Sequence, residues 1–245
     1  MHLLSSRSNW PYCDSTYPDA FSGEKDSCGV GFIANIEGNP SNWVLLQALR
    51  GLSCMEHRGG CGGDGDSGDG AGILCEIPWS YLKKIWDAAK NSEPKSSGIG
   101  MIFMPKDKVN REKAKRLCEE EAKSIGLVSK GWRDVPVNQE VLGKLARENV
   151  PFITQWILHI ESKDIEIESL LFRLKQRISN RAKIELEEDE LGLYICSLSN
   201  KTIVYKGMVR SEILASFYYD LQDKSFEVSY AVYHRRFSTN TLPKW

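Results

Sequence analysis

Residues 28–36, CGVGFIANI, decide how this chain of 245 residues is interpreted. Small and apolar residues alternate along the segment, which is the pattern of a half-buried β-strand. The cysteine at its front, Cys28, follows a polar, charged segment and precedes a glycine. These surroundings leave three roles open for Cys28: a buried hydrophobic residue, a metal ligand or a nucleophile.

The composition is that of an ordinary globular protein and argues against two classes of partner. Apolar residues make up 41% of the chain, charged residues 27%, and the formal net charge is −1. A net charge this close to zero does not indicate binding to nucleic acid or to an anionic membrane surface. No apolar run approaches the roughly 18–20 residues of a membrane span. The seven cysteines, an odd number, favour a reducing compartment over a complete disulfide set. We therefore predict no nucleic-acid partner and no membrane partner.

Residues 1–27 are predicted to be a leader. They are rich in Ser, Pro, Tyr and Asp and show no hydrophobic period. They also lack the apolar region of a signal peptide, and their acidic residues do not suit a transit peptide. Residues 28–245 are predicted to form the folded domain.

The rest of the chain mixes helical and strand-like patterns. Ser41 is predicted to cap a helix over residues 42–56, in which leucines recur at helical spacing. Further helices are predicted over 79–89, 110–126, 164–182 and 211–221. Further strands are predicted over 73–78, 98–105, 151–160 and 226–239, with two more around a turn at Ser199–Asn200. This arrangement predicts the α+β class.

The glycine-rich segment HRGGCGGDGDSGDGAG, residues 57–72, resembles two binding loops only superficially. Gly63, Gly65 and Gly68 have dinucleotide-loop spacing, but a strand-like pattern follows and the interspersed aspartates would repel a pyrophosphate. As a calcium loop it has Gly68 at the third ligand position and Cys75 where the closing glutamate belongs. The favoured interpretation is a loop whose glycines adopt conformations that other residues avoid.

A zinc site is the other chemistry that this region suggests. Cys54, His57, Cys61 and Cys75 are potential zinc ligands, and the first three are compactly spaced. No second pair of ligands follows at the spacing of a zinc knuckle. We therefore predict no metal site in this chain.

Nucleophilic use of Cys28 requires a base, and no histidine is close to it in the sequence. Cleavage after Ser27 would give Cys28 a free α-amino group. The unperturbed pKa of such a group is about 7.7–8.0, so it can take the proton of its own thiol near neutral pH. Composition does not establish that cleavage.

Five ordered blocks of the sequence carry a resemblance to a known family. They are CGVGFIA (28–34), MEHRGGCG to DSGDGAG (55–72), GWRDVPVN (131–138), LYICSLSNKTIVYKGMV (193–209) and YHRRFSTNTLPKW (233–245). Together they resemble the N-terminal class II glutamine amidotransferase domain of glutamate synthase. The residues of these blocks are most similar to the ferredoxin-dependent type of cyanobacteria and plastids. The resemblance implies an N-terminal-nucleophile fold, a four-layer αββα sandwich, here expected to be incomplete at its C-terminal end.

The resemblance also implies roles for individual residues. Cys28 matches the nucleophile that becomes N-terminal when the leader is removed, attacks the side-chain amide of glutamine and forms a γ-glutamyl thioester. Arg236 matches the arginine that binds the glutamine α-carboxylate, for which a guanidinium fork is suited. Phe237 matches an aromatic wall of the pocket and Thr239 a substrate-contacting threonine. The matching HRG motif at 57–59 is expected to have a mainly structural role.

Other implied features belong to the remainder of a glutamate synthase chain. The resemblance places the oxyanion-hole Asn-Gly pair, the FMN and the iron–sulfur cluster beyond Trp245, so this chain is expected to be a fragment without a cofactor of its own. The similarity of these blocks to the ferredoxin-dependent type favours ferredoxin as the electron donor. A nicotinamide donor stays open, because the surfaces that bind the electron donor would lie outside this chain. The expected compartment is the bacterial cytoplasm or the plastid stroma.

Two alternative functions stay open at this point. One is another class II amidotransferase, such as an amidophosphoribosyltransferase, against which the long glycine-rich segment and the paired strands around Ser199–Asn200 argue. The other is a catalytically inactive fragment that acts at most as a binding or regulatory partner of an intact synthase.

Overall fold

The structure is a computed structural model that describes residues 28–60, 63–160, 166–186, 193–236 and 244–245. The predicted leader lies outside these residues. The described strands are β1 (Gly29–Ala34), β2 (Ala71–Glu76), β3 (Ser97–Met104), β4 (Leu127–Asp134), β5 (Phe152–Ile160), β6 (Tyr194–Ser199), β7 (Thr202–Gly207) and β8 (Tyr230–Arg235). They form two antiparallel four-stranded sheets, the first in the order β1-β8-β2-β7 and the second in the order β4-β5-β3-β6.

The helices connect these strands and cover both sheets. They are α1 (Asn42–Ser53), α2 (Trp79–Ile85), α3 (Asp87–Lys90), α4 (Lys108–Ser124), α5 (Lys144–Glu148), α6 (Ile167–Glu185) and α7 (Leu214–Phe217). Short 3-10 turns lie at Glu56–Arg58, Pro94–Ser96, Gln139–Val141, Ser211–Ile213 and Tyr219–Gln222. Within the described ranges, none of the helices combines the length and the apolar character that crossing a membrane would require.

Helix α1 packs on the first sheet because glycines let the two elements approach closely. A Cβ atom on Gly51 of the helix would lie 2.5 Å from the Tyr233 hydroxyl, and one on Gly31 of β1 would lie 2.4 Å from the Tyr233 ring. Tyr233 therefore fills the space that the two missing side chains leave. The helix buries its leucine-rich face, including Leu45 and Leu52, against this sheet.

Two hydrophobic cores fix the positions of the two sheets. The first core combines α1, the inward side chains of β2 and β7, and the β3 residues Ile99, Met101 and Phe103. The second core lies on the opposite face of the second sheet, where Ile102 and Trp156 pack with helices α4 and α6. The α+β prediction is confirmed, and two sheets that share a core are consistent with a sandwich.

A buried polar network joins the sheets at Asp220. The Arg133 guanidinium of β4 donates to both Asp220 carboxylate oxygens, at 2.6 and 2.8 Å. The hydroxyls of Tyr81 and Tyr205 donate to the same carboxylate at 2.8 and 2.9 Å, and Gln155 of β5 donates to Tyr205 and accepts from Arg133. Burial, and then the Asp220 charge, raise the pKa of both tyrosines, so their hydroxyls stay protonated donors at neutral pH.

The predicted pair of strands around Ser199–Asn200 exists, but it is not a hairpin. Strand β6 pairs with β3 in the second sheet, whereas β7 pairs with β2 in the first. The turn is held by side chains, since the Ser199 hydroxyl donates to Glu168 and accepts from the backbone N–H groups of Lys201 and Thr202. The chain therefore uses this turn to cross from one sheet to the other.

Three further local predictions differ from the structure. Ser41 occupies the position before α1, but its side chain makes no capping hydrogen bond. The helix predicted over 79–89 is broken at Trp86, whose backbone is extended, and the helix predicted over 211–221 is a series of short turns. Strand β4 was not predicted at all, because a register shift beside Gly131, with φ at +145°, interrupts its alternation.

Candidate active site

The pairing of β1 with β8 places Cys28 and Arg236 at the same end of the first sheet. The outermost pair in register is Gly29 and Arg235. Cys28 precedes Gly29 and Arg236 follows Arg235, each directly outside its strand. Side chains alternate between the faces of a sheet, so Cys28 and Arg236 belong to the face opposite Arg235. Cys28 is exposed and Arg236 is half-buried.

The 3-10 turn at Glu56–Arg58 packs against the strand beside Cys28. A Cβ atom on Gly29 would lie 2.7 Å from the Met55 Sδ atom and 3.3 Å from the Arg58 Cβ atom. Only glycine gives the strand this close approach to the turn. The turn that begins the glycine-rich loop therefore packs on Gly29, the neighbour of Cys28, on the sheet face that also holds Arg235.

The other end of the glycine-rich loop reaches Arg236. The Arg236 backbone N–H donates to the Gly70 carbonyl oxygen at 2.9 Å. Gly70 has a φ of +135°, in the region that favours glycine, and a Cβ atom there would be in ordinary contact with the Arg236 side chain at 3.8 Å. Both ends of the loop thus meet at the end of β8.

A groove of about 400 Å³ lies on the same face of the first sheet. Its lining combines the basic residues Lys206, His234, Arg236 and Lys244 with an apolar floor, and Asp69 is its acidic member. Burial lowers the pKa of His234, and the Arg236 charge lowers it further, so His234 is predominantly neutral at neutral pH. The groove is suited to an anionic group at the Arg236 end, and Cys28 is not among the residues that line it.

Comparison with known proteins identifies the family. The family model for class II glutamine amidotransferases matches residues 28–245. The chain belongs to the class II glutamine amidotransferases. The match begins at Cys28, the residue at the exposed strand end.

Curated relatives of this amidotransferase domain are much longer proteins. It is 47% identical, over 91% of its length, to "Ferredoxin-dependent glutamate synthase 1, chloroplastic/mitochondrial" from Arabidopsis thaliana. It is 43% identical, over 99% of its length, to "Ferredoxin-dependent glutamate synthase 2" from Synechocystis sp.. The chain spans 14% of the length of the first relative and 15% of the second.

The amidotransferase domain contains a buried arginine that the sequence reasoning missed. Arg235 is fully buried, and its guanidinium donates to the Val209 and Gly60 carbonyl oxygens at 3.1 and 3.0 Å and to the Glu56 carboxylate at 3.2 Å. The period-two alternation of β8 could have indicated it, because Tyr233 and Arg235 share the inward face. The predicted residues Phe237 and Thr239 lie outside the described residues.

The aspartate that begins the apparent calcium motif caps a helix. The Asp64 carboxylate accepts from the Ser67 hydroxyl at 2.7 Å, from the Ser67 backbone N–H at 2.8 Å and from the Leu145 N–H at the start of α5 at 2.9 Å. These hydrogen bonds, with that of Leu145 first, hold the pKa of Asp64 well below its usual range. Asp64 thus fastens the glycine-rich loop to α5.

The cysteines of the amidotransferase domain differ strongly in their surroundings. Burial raises the pKa of the Cys75 and Cys118 thiols, and raises that of Cys196 to about 12. Cys28 and Cys54 are exposed. Cys61 of the zinc hypothesis lies outside the described residues. Among those described, His, Cys, Asp and Glu side chains form no group of three that could hold a metal ion.

Gly68 is predicted to tolerate no larger residue, because backbone atoms surround its Cβ position. A Cβ atom there would lie 2.5 Å from three backbone atoms of Val209 and Arg210, which cannot move away as a flexible side chain can. We expect Gly68→Ala to lower the free energy of unfolding by about 1–3 kcal/mol in urea titrations. Gly63→Ala is the matched control, because nothing lies within 4 Å of its Cβ position. Equal stability of the two variants would contradict this packing.

Proposed function

We propose that this chain is the glutamine-hydrolysing domain of a glutamate synthase and that Cys28 is its nucleophile. The observation that supports this most directly is that Cys28 and Arg236 directly flank the last registered pair of β1 and β8, with the Cys28 residue exposed. Membership of the class II glutamine amidotransferases supports glutamine as the substrate.

The proposed reaction begins after removal of residues 1–27. The free α-amino group of Cys28 takes the thiol proton, and the sulfur attacks the side-chain carbonyl carbon of glutamine. The C–N bond then breaks, the proton passes to the leaving nitrogen, and ammonia departs from a γ-glutamyl thioester. Water cleaves the carbon–sulfur bond, which releases glutamate and restores the thiol.

Arg236 is proposed to bind the α-carboxylate of glutamine. It lines the basic end of the groove, where a guanidinium can donate two parallel hydrogen bonds to a carboxylate. Phe237 as a pocket wall and Thr239 as a substrate contact remain predictions. Beside the neutral His234, Arg236 supplies a guanidinium that keeps its charge at neutral pH.

The wider context of the reaction is proposed from the relatives. In a complete synthase the ammonia would aminate 2-oxoglutarate, with FMN and an iron–sulfur cluster in other parts of the polypeptide and ferredoxin as the electron donor. Names of the relatives that include "chloroplastic", together with a cyanobacterial relative, support a plastid stroma or a bacterial cytoplasm.

Two measurements test the nucleophile on the complete polypeptide that carries this domain. Mass spectrometry of the purified protein is expected to find Cys28 at the N-terminus. The glutamine-like electrophile 6-diazo-5-oxo-L-norleucine is then expected to modify Cys28 at one equivalent and to spare Cys54, whereas iodoacetamide modifies both exposed thiols. A Cys54→Ser variant serves as the control and should label like the wild type.

The opposite result has a definite meaning. If a protein that begins at Cys28 is not modified by the diazo-ketone, or is modified at Cys54 instead, the assignment of the nucleophile is wrong. If residues 1–27 remain attached and glutamine is not hydrolysed, the alternative of an inactive binding partner is favoured.

A further inference from the structure

Two neighbouring arginines at the end of β8 have opposite environments. Arg236 lines the groove, whereas Arg235 is fully buried on the inward face of the sheet. A guanidinium cannot lose its charge at neutral pH, so burying one is costly unless its donors are satisfied. The partners of Arg235 are therefore informative about why it is there.

These partners belong to separate segments that meet around the site. Arg235 binds Glu56 and the Gly60 carbonyl oxygen at the first end of the glycine-rich loop, and the Val209 carbonyl oxygen after β7. It also approaches the Gly70 carbonyl oxygen at 3.5 Å, the same atom that accepts from the Arg236 N–H. One side chain thus connects both ends of the loop to β8.

The contact with the HRG motif is equally close. The Arg235 Nε atom has no hydrogen-bond partner among the described residues, and a Cβ atom on Gly59 would lie 1.8 Å from it. Gly59 therefore lies flat against the guanidinium, and any larger residue would push the arginine away. Glu56 is fixed from its other side, since it also accepts from the Ser211 N–H at 2.9 Å.

We propose that Arg235 is a positioning residue for the glutamine site. It holds the Glu56–Arg58 turn against Gly29, the neighbour of Cys28, and the Gly70 carbonyl oxygen against the Arg236 N–H, so that the thiol and the carboxylate anchor keep their relative positions. The inference rests on the proposed function of Cys28 and Arg236. Arg235 itself faces away from the groove and acts through these neighbours.

The test compares two reagents and two variants on the complete polypeptide. Arg235→Met is expected to raise the KM for glutamine about 10- to 100-fold and to slow labelling of Cys28 by 6-diazo-5-oxo-L-norleucine by a similar factor, because small misplacements of binding groups have effects of this size. Labelling of Cys28 by iodoacetamide, which has no carboxylate, is expected to stay within about twofold of the wild type. Arg235→Lys keeps the charge and should recover part of the loss.

Arg133→Met is the matched control. It removes another buried guanidinium of the same fold, one that pairs with Asp220 rather than with the glycine-rich loop. It is expected to lower the unfolding temperature and to leave the KM for glutamine unchanged. Should Arg235→Met fail to fold, the comparison of KM values is made with Arg235→Lys, for which an increase is still expected.

Three outcomes separate this proposal from the one on which it rests. If Arg235 variants keep the wild-type KM and only lose stability, as Arg133→Met does, the positioning role is wrong. It is equally wrong if iodoacetamide labelling falls together with diazo-ketone labelling. If the wild type neither hydrolyses glutamine nor labels at Cys28, the proposed function itself fails.

Discussion

Replacing Cys28 by alanine is expected to lower glutamine-dependent glutamate formation by at least about 10⁴-fold in a complete glutamate synthase that carries this domain. Without the sulfur no thioester can form, and the other groups of the proposed site cannot replace the nucleophile. Ammonia-dependent glutamate formation is expected to be unchanged, because added ammonia bypasses the step at Cys28. Both rates are measured by following glutamate with 2-oxoglutarate and an electron donor present.

The matched control for this prediction is Cys54→Ala. Cys54 is also exposed, at the end of α1, but it is not part of the strand end that pairs with β8. Its replacement is expected to leave both rates unchanged. Continued use of glutamine by the Cys28→Ala protein would refute the nucleophile, and parallel loss of both rates would indicate a general structural effect.

Replacing Asp220 by leucine is expected to lower the free energy of unfolding by about 3–5 kcal/mol, because it leaves the Arg133 charge buried without its partner. The Asp220 side chain is fully buried and that of Arg133 is 12% exposed. Burial alone would lower the pKa of Arg133, and the hydrogen bonds and charge of Asp220 more than offset this effect. Arg133 therefore stays charged, and urea titrations followed by circular dichroism measure the cost.

A double variant distinguishes a lost ion pair from a lost shape. Arg133→Met combined with Asp220→Leu removes both charges, and it is expected to recover part of the stability, since apolar replacements of buried pairs are often tolerated. Recovery stays partial because the Tyr81 hydroxyl still lacks its acceptor. Asp223→Ala, a change in the exposed turn that follows, should have a much smaller effect. If the double variant were as unstable as the sum of the single changes, the ion pair would not be the cause.

The predictable part of the fold is the part with local patterns. Helices α4 and α6 and strand β5 have long apolar periods, and their predicted positions agree with the structure within a few residues. The pairing of β6 and β7 with different sheets could not be read in this way. It depends on Glu168, a residue of α6, which accepts from the Ser199 hydroxyl and the Asn200 N–H.

The candidate site likewise contains residues that sequence motifs indicate and residues whose roles depend on distant segments. Cys28 and Arg236 are predicted because their motifs match a family, and in the structure they flank the last registered pair of β1 and β8. Arg235 was missed because a run of basic residues at a strand end is usually solvated, and its burial follows from carbonyl oxygens in distant segments. The role of Asp64 is also not predictable from the sequence, because its carboxylate accepts a hydrogen bond from the N–H of Leu145, in a helix far along the chain.

The pairing of β1 with β8 has a consequence for the order of events during synthesis. In the described sheet, β1 has β8 as its neighbour, and β8 is the last strand of the described chain to leave the ribosome. Pairings between segments so distant in sequence form late in folding. The proposed nucleophile Cys28 is therefore made early, whereas Arg236, its proposed carboxylate anchor, takes its place late. On this proposal a nascent chain carries a cysteine that cannot yet select glutamine.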